Sequence, residues 1–576
     1  TFQGVTQLQW TNWDDDRYVY ENKLVAEADY SAIFSTPVAG NYNPLPIATF
    51  ALEWQVAGDN PWLYHFDNLW LHLVCTALVF WLLGLLGLQP LWAGFAALMF
   101  GIHPLHVESV AWITERKDVL YGLFYLGSLI AYLRFQRSGD RAAYVLCLLL
   151  FALALLSKIQ AVSLPLAMIA LDAYQGRKWT IKAGLQKLPF FLGAATMGIV
   201  GMALLQDIHS LNAETQFGWS ERLVLGLNAF FIYLVKAVIP YETCIVYPYP
   251  AAVGIQHVLG AVAAMGMVLA AILLRKKAPS LFFGMAFFAV SVVFVLQILG
   301  AGHAYQADRF TYISYIGLFF AMAMGAQRLA ASNRSRTLVL AGLGVVMVGF
   351  YGIRSREYIP KWENSFTIWS DMIEKYPNRF ALAYINRGDH LRLHQQKDRG
   401  MADFSTAISL NPNFYMGYLN RADLCFELGE DARAIADYTQ ALRLLGPFGE
   451  DAEHNLIIVQ ALGNRGSLHA RNGRFQEALA DLNPALAQLP DDLNLLNSRA
   501  LTWLDLGMFP EAIADLSAIL ELQPRSVNAR INRGVAYMNI GKLDDALRDF
   551  DMALQDDPQN QSARMNRDMI LSASGR

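Results

Sequence analysis

Charged side chains are scarce in this chain: Asp, Glu, Lys and Arg make up 16% of its 576 residues, against 55% apolar types, at a mean hydropathy of +0.27. That scarcity excludes a wholly water-soluble protein of ordinary composition, in which about 25% of residues are charged. Net charge is small as well, at -4, so the electrostatic footprint of a nucleic-acid binder is missing. Cysteine is down to four residues. Cys75 and Cys147 sit inside apolar runs, and Cys244 and Cys425 lie far apart without CxxC spacing, so neither a disulfide framework nor a zinc site is implied and the redox compartment stays open. The sequence opens on Thr1 and a polar loop rather than on Met, and an upstream segment, a first membrane helix, is expected before it.

The apolar excess is concentrated before about residue 355. Runs at 66–86, 91–103, 118–135, 142–157, 161–174, 188–206, 222–240, 256–274, 280–299, 310–327 and 337–353 are membrane candidates, several of them short of the roughly 20 residues a perpendicular span needs, so tilted or broken helices are expected. Ahead of them, residues 1–64 are aromatic, acidic and too polar to span. Positive clusters at Arg134/Arg137/Arg141, Arg177/Lys178/Lys182/Lys187, Arg275/Lys276/Lys277 and Arg328/Arg334/Arg336 are assigned to the cytoplasm. Counting outward from them places five polar segments on the other side: the Asp14 loop, His103 to Asp118, Ser157 to Gln160, Asp207 to Arg222, and 301–309. Run 222–240 breaks the alternation and contains Lys236, which predicts a re-entrant or interfacial segment followed by Tyr241–Pro250 at the outer surface.

From residue 381 the chain repeats. Asn386-Arg387-Gly388 and its variants at 420, 464, 498, 532 and 566 are spaced 34, 44, 34, 34 and 34 residues apart, the tetratricopeptide period with one insertion between Gly446 and Ile458. Ala434, Ala478, Ala512 and Ala546 are expected at helix crossings, and Pro412, Pro490, Pro524 and Pro558 just after second helices. The Arg of each signature precedes an Asp by 16 residues, as in Arg387/Asp403, which reads as a structural ion-pair ladder. Asn386, Asn420, Asn464 and Asn532 fall where a right-handed solenoid faces its groove, and an amide there holds an extended peptide backbone or, alternatively, bonds its own helix. Trp362 to Pro377 reads as a half-repeat joining the solenoid to the last membrane helix. The fold class is therefore all-α: a polytopic membrane domain over 1–355, then a tetratricopeptide-repeat α-solenoid over 356–576, extracytoplasmic because the last membrane helix ends outside.

Between the first apolar runs lies GIHPLHVESVAWITERKD, Gly101 to Asp118, whose two His, two Glu, Arg, Lys and Asp are too costly at a membrane unless they face water or a cavity. HxxHxE, at His103, His106 and Glu108, invites a metal reading, but without a third well-spaced ligand that reading is weak.

With these stretches in view the chain resembles the transmembrane and tetratricopeptide-repeat O-mannosyltransferases of the GT-C glycosyltransferase superfamily. NWDDDRYVYEN, FGIHPLHVESVAWITERKDVLYGLFYL, LLSKIQAVSLPLAMIALD, QADRFTYISYIG and the trailing repeats carry the likeness. The resemblance implies transfer of a sugar, mannose or similar, from a polyprenyl-phosphate carrier to Ser/Thr hydroxyls of secreted or membrane proteins on the non-cytoplasmic face, in a bacterial inner membrane or, alternatively, the endoplasmic reticulum. It implies an acidic base in the first outer loop, which falls on Asp14 with Asp15 as its orienting partner or acceptor contact. His103, His106, Glu108, Arg116, Lys117, Lys158, Asp308 and Arg309 become candidates for the donor phosphate and sugar, with Glu108 orienting an imidazole and Asp308 and Tyr312 orienting Arg309. The lipid-linked donor is the expected ligand, and a divalent metal is not favoured. A lipid or glycan acceptor, or a non-catalytic membrane-anchored scaffold, are the competing readings.

Overall fold

In the computed structural model the chain is predominantly helical, with one short antiparallel ribbon. The structure describes residues 1–576 apart from 208–216, 297, 299–303, 332, 450 and 574–576. The larger part of the expected 207–222 loop and residues 301–303 of the 301–309 loop lie outside the described residues. The chain divides into two compact units, Thr1–Arg379 and Phe380–Arg576.

In the first unit each apolar run is built around a helix. Five helical stretches are long and apolar enough to cross a membrane: Trp62–Leu85, Ile113–Ser138, Ile181–Leu204, Ile255–Leu273 and Arg334–Trp362. Together with the shorter apolar helices they make this a multi-pass membrane protein. The expected broken helix is present: Pro90–Gly101 and Pro104–Ala111 meet at a 51° bend. Pro104 has no N–H to continue the first piece, and the His103 imidazole accepts the Leu105 N–H at 3.2 Å to start the second. The bend turns Glu108 and Ser109 inward, where both are fully buried.

The polar residues 1–64 fold as a cap with a small core of its own, in which Tyr18, Val19, Ile47, Phe50 and Tyr64 pack against Ile113. The re-entrant expectation for 222–240 is corrected. Trp219–Lys236 is one unbroken helix that stops before Pro240. Tyr241–Pro250 does not lie wholly on the surface either: Cys244 to Tyr247 are buried, and Tyr247–Pro248 pairs antiparallel with Ala304–Gln306.

The second unit repeats pairs of antiparallel helices, beginning with Ala381–Leu393 and Lys397–Leu410. Second helices end at Leu410, Gln488, Leu522 and Asp556, two residues before the prolines read from the sequence. Ala434, Ala478, Ala512 and Ala546 are fully buried at the crossings. The insertion lengthens one first helix, Ala452–Arg471, to 20 residues. The ladder is present within each repeat: Nε and Nη2 on one edge of the Arg421 guanidinium donate to the two Asp437 oxygens at 2.7 and 2.9 Å, and Arg387, Arg465, Arg499 and Arg533 hold their aspartates the same way.

The helices Pro279–Val292 and Tyr315–Ala330 cross closely through two glycines. A Cβ on Gly317 would lie 2.6 Å from the Gly284 carbonyl oxygen, whereas one on Gly325, on the same helix, would meet nothing within 4 Å. Gly317→Val therefore forces the crossing apart, at a cost on the order of 1–3 kcal/mol or more. Its thermal midpoint in detergent should fall by several degrees, while that of Gly325→Val should stay near wild type; equal midpoints for the two would show that the crossing tolerates the bulk.

Candidate active site

The loop that carries Asp14 is held by one carboxylate. Asp15 is buried and accepts four hydrogen bonds: from Thr11 N–H and Oγ1–H at 2.9 and 2.8 Å, and from Thr114 N–H and Oγ1–H at 3.1 and 2.6 Å. Burial raises its pKa, against these four donors. The neighbouring Asp14 is half-buried, and among the described residues its carboxylate accepts no hydrogen bond. Burial pushes Asp14 up to about 6, opposed chiefly by the charge of Lys117 and more weakly by Arg17 and Arg309.

Aromatic rings fix the loop beside the polar stretch. Trp13 stacks on Trp369 at 4.7 Å and meets Trp112 edge-on at 5.8 Å. Trp112 in turn carries the Arg309 guanidinium at 5.4 Å and the Lys117 ammonium at 5.7 Å from its ring centre. The half-repeat reading of Trp362 to Pro377 is corrected here. The helix Ser365–Lys375 belongs to the first unit and braces the loop: Asn12 N–H donates to Ser365 Oγ at 2.9 Å, and Trp369 Nε1–H donates to Asn12 Oδ1 at 2.9 Å.

Behind Trp112 lies a connected set of buried charges. Glu108 accepts from Arg309 Nη1 at 2.5 Å and from the Arg309 backbone N–H at 3.0 Å. Glu115 is shared by three cations, Lys158 at 2.9 Å and Lys117 and Arg309 at 3.3 Å each. Lys158 also donates to Asp118 at 2.7 Å, and Ser109 Oγ–H donates to Asp118 at 3.0 Å. Arg309 is the most accessible of the three cations, at 18% side-chain exposure against 11% for Lys117 and 10% for Lys158. The Trp112 indole N–H is buried with no acceptor among the described residues. The structure thus brings together Asp14, Asp15, Glu108, Lys117, Lys158 and Arg309 from four segments of sequence.

Other expected residues point elsewhere. Arg116 is one helical position from Lys117, about 100° round the helix, and faces the cap: its guanidinium bonds Glu53, Asn68 Oδ1, Thr49 Oγ1 and the Tyr64 carbonyl. It is structural in this position. His103 and His106 lie among Phe100, Tyr312, Tyr315, Phe319 and Tyr351, with His106 Nδ1 on the Phe100 carbonyl at 2.7 Å. Glu108 is engaged by Arg309 and does not orient an imidazole. Nor do Asp308 and Tyr312 orient Arg309. Asp308 accepts from Tyr247 at 2.8 and 2.9 Å and from Lys236 at 3.4 Å, and Tyr312 bonds His72 at 2.8 Å. Burial raises the Asp308 pKa, opposed by Lys236 and Tyr247. No three His, Cys, Asp or Glu side chains converge as a metal site among the described residues.

Sequence reasoning missed Trp112, Glu115, Trp369 and the Lys236–Tyr247–Asp308 contact. Trp112 and Glu115 stood inside the polar stretch already singled out. Trp369 carried no sequence signal, since its role depends on contact with Trp13 across more than half the chain.

In the second unit the asparagine column is not uniform. Asn420 donates to the Met416 carbonyl of its own helix at 2.9 Å, and Asn464 donates to Asp423 and Tyr438 at 3.3 and 3.1 Å. Asn386 is engaged, and Asn532 is half-buried.

The tetratricopeptide-repeat family profile matches residues 385–448, 464–515 and 497–561. Human protein O-mannosyl-transferase TMTC2 is 35% identical over 133 residues, which is 21% of this chain and 16% of the human protein. Drosophila melanogaster Tmtc2 is 31% identical over 204 residues, 31% of this chain and 22% of the fly protein. The matched stretches span about a quarter or less of these relatives' lengths. Among solved structures the tetratricopeptide protein YrrB, described as having an unusual peptide-binding site, shares 20% identity and covers 35% of this chain and 97% of its own, at a TM-score of 0.32. By sequence the chain is similar, over part of its length, to the transmembrane and tetratricopeptide-repeat O-mannosyltransferases.

Proposed function

We propose that this protein transfers a sugar, mannose or similar, from a polyprenyl-phosphate carrier to a Ser or Thr hydroxyl of an acceptor polypeptide, on the non-cytoplasmic side of its membrane. The observation that carries the reading is Asp14: a carboxylate without a hydrogen bond, held by a fully bonded neighbour, and influenced by the nearby charges of Lys117 and Arg309.

The displacement is a single inverting step. The acceptor oxygen bonds to the anomeric carbon, the bond from that carbon to the phosphate oxygen breaks, polyprenyl phosphate departs, and the hydroxyl proton goes to Asp14. A base works best with a pKa near the working pH, and a value of about 6 suits Asp14 to the role. Asp15 is a positioning residue. Lys117 and Arg309, which share Glu115 with Lys158, supply positive potential where the leaving phosphate gains charge. Arg309, the most accessible of the three, takes the phosphate. The orphan indole N–H of Trp112 offers the donor one further hydrogen bond. In this reading the repeats raise the local concentration of acceptor, with Asn386, Asn420, Asn464 and Asn532 as candidate contacts to its backbone.

Asp14→Asn preserves shape and removes no hydrogen bond, so the protein should remain monodisperse while kcat falls by about 10²- to 10⁴-fold. The base must be ionised, and its folded pKa is raised. Wild-type kcat/KM should therefore climb through pH 6 and be lost below it, in a profile measured with polyprenyl-phosphate mannose and a Thr-containing peptide. Full activity in both Asp14→Asn and Asp15→Asn would remove the mechanism. Asp15→Ala acts differently: it strands the Thr11 and Thr114 donors, so amide hydrogen exchange over residues 11–20 should accelerate and kcat should fall, with the rise near pH 6 still in place. Unchanged exchange would show that Asp15 does not hold the loop.

A further inference from the structure

Beside the charge cluster, on the far side of Asp308, the first unit carries a cleft of about 450 Å³. Its walls include the rings of Tyr241, Tyr247, Tyr305 and Tyr376, with Pro248 and Pro377. Gln306 lines it at 2% exposure, and its Nε2 amide is buried without an acceptor among the described residues. A buried donor of that kind costs about 1–3 kcal/mol unless something accepts its hydrogen bond. Glu242, at the rim, holds a left-handed backbone with φ of 43°, a strained conformation for a residue with a side chain.

The chemistry of the lining selects the occupant. Three cations line the cleft: Lys236 is engaged by the Glu242 carbonyl, Tyr247 and Asp308, Lys375 by the Thr243 carbonyl and Asp371, and the exposed Arg379 donates to the Tyr249 carbonyl. Inside the cleft both ammonium groups are spent, and the free charge of Arg379 lies at its exposed edge, so a buried phosphate would find little positive charge. A sugar ring offers hydroxyls on several sides, whereas among the described lining residues the buried polar atom left without a partner is the Gln306 amide nitrogen. Tyrosine and proline walls with a lone amide donor suit an extended, uncharged polypeptide, whose proline rings pack between aromatic faces and whose carbonyls accept from Gln306.

The cleft also adjoins the helix that braces the Asp14 loop. Lys375 and Tyr376 follow Trp369 by six and seven residues, about 9–10 Å along a helix, and Trp369 stacks on the ring next to Asp14. An extended chain covers that span in about three residues.

We infer that this cleft binds the acceptor polypeptide on one side of the modified hydroxyl, and that Gln306 and Tyr376 set its preference for extended, proline-containing sequence. This rests on the function proposed above and deepens it by assigning the acceptor subsite.

The test uses the full chain in lipid nanodiscs with p-benzoylphenylalanine in place of Tyr376, and a short fluorescent peptide bearing one Thr between two prolines. Ultraviolet light should cross-link the peptide; excess unlabelled peptide should abolish the band, and methyl mannoside or inorganic phosphate should leave it intact. Gln306→Leu should weaken labelling, and in transfer assays Gln306→Leu and Tyr376→Ser should each raise the acceptor KM roughly tenfold, with kcat and the donor KM unchanged. Protection by the mannoside or by phosphate instead of the peptide would overturn the assignment, as would the absence of cross-linking in a monodisperse sample. Tyr376 is half-buried, so its variant keeps the test open if Gln306→Leu fails to fold. Cross-linking needs no turnover, so an active Asp14→Asn enzyme would sink the proposed base and leave this result standing.

Discussion

Four hydrogen bonds to one buried carboxylate join the outer loop to the polar stretch, and the rest of the site follows from that join. Asp15 consumes the donors of Thr11 and Thr114, which lie on opposite sides of it in sequence and in space. Successive residues in a helical turn project in different directions. With Asp15 committed inward, Asp14 is turned aside and left open, and Trp13 is aimed at Trp369 and Trp112. An acidic triplet would be mobile as a free loop. Here one member is spent on position and its neighbour is left without a hydrogen bond among the described residues.

The charge cluster obeys the same logic at lower dielectric. Three carboxylates, Glu108, Glu115 and Asp118, meet three cations, Arg309, Lys117 and Lys158, which is how charges persist when buried: paired, and with most of their hydrogen bonds made. The pairing is uneven. Glu108 holds only Arg309 and Asp118 holds only Lys158, while Glu115 is divided among all three cations. The side facing Lys117 and Trp112 therefore carries the least compensated positive charge.

Periodicity made much of the molecule legible in the sequence. The repeats, their crossing alanines, the prolines after second helices and the Arg–Asp ladder follow from a fixed 34-residue step, because each depends on local spacing. The membrane helices followed from apolar runs, and the bend at Pro104 from a missing N–H. What escaped was direction. Lys117 and Arg116 are adjacent letters, yet one reaches the site and the other is consumed by Glu53 and Asn68, since a helix separates them by about 100°. Asp308 and Arg309 part in the same way, toward Lys236 and Glu108. His103 and His106 looked like ligands as a motif, but the aromatic rings that enclose them come from segments more than 200 residues away.

The two units use the same ion pair to opposite ends, and saturation separates them. In the repeats each arginine of the ladder presents two nitrogens to both oxygens of one aspartate, an arrangement repeated from Arg387 to Arg533 that leaves the carboxylate little to offer a ligand. In the first unit Arg309 divides its contacts between two glutamates, one of which it shares with two lysines, and it stays partly exposed beside an indole N–H that has no acceptor. A fully matched pair stabilises one arrangement and resists replacement. A group whose partners are shared can exchange part of its contact for a ligand at small cost, because the remaining cations still compensate the carboxylate it releases. By that criterion Arg116, bound on every edge, belongs with the ladder despite its place in the polar stretch, and Arg309 belongs with Asp14.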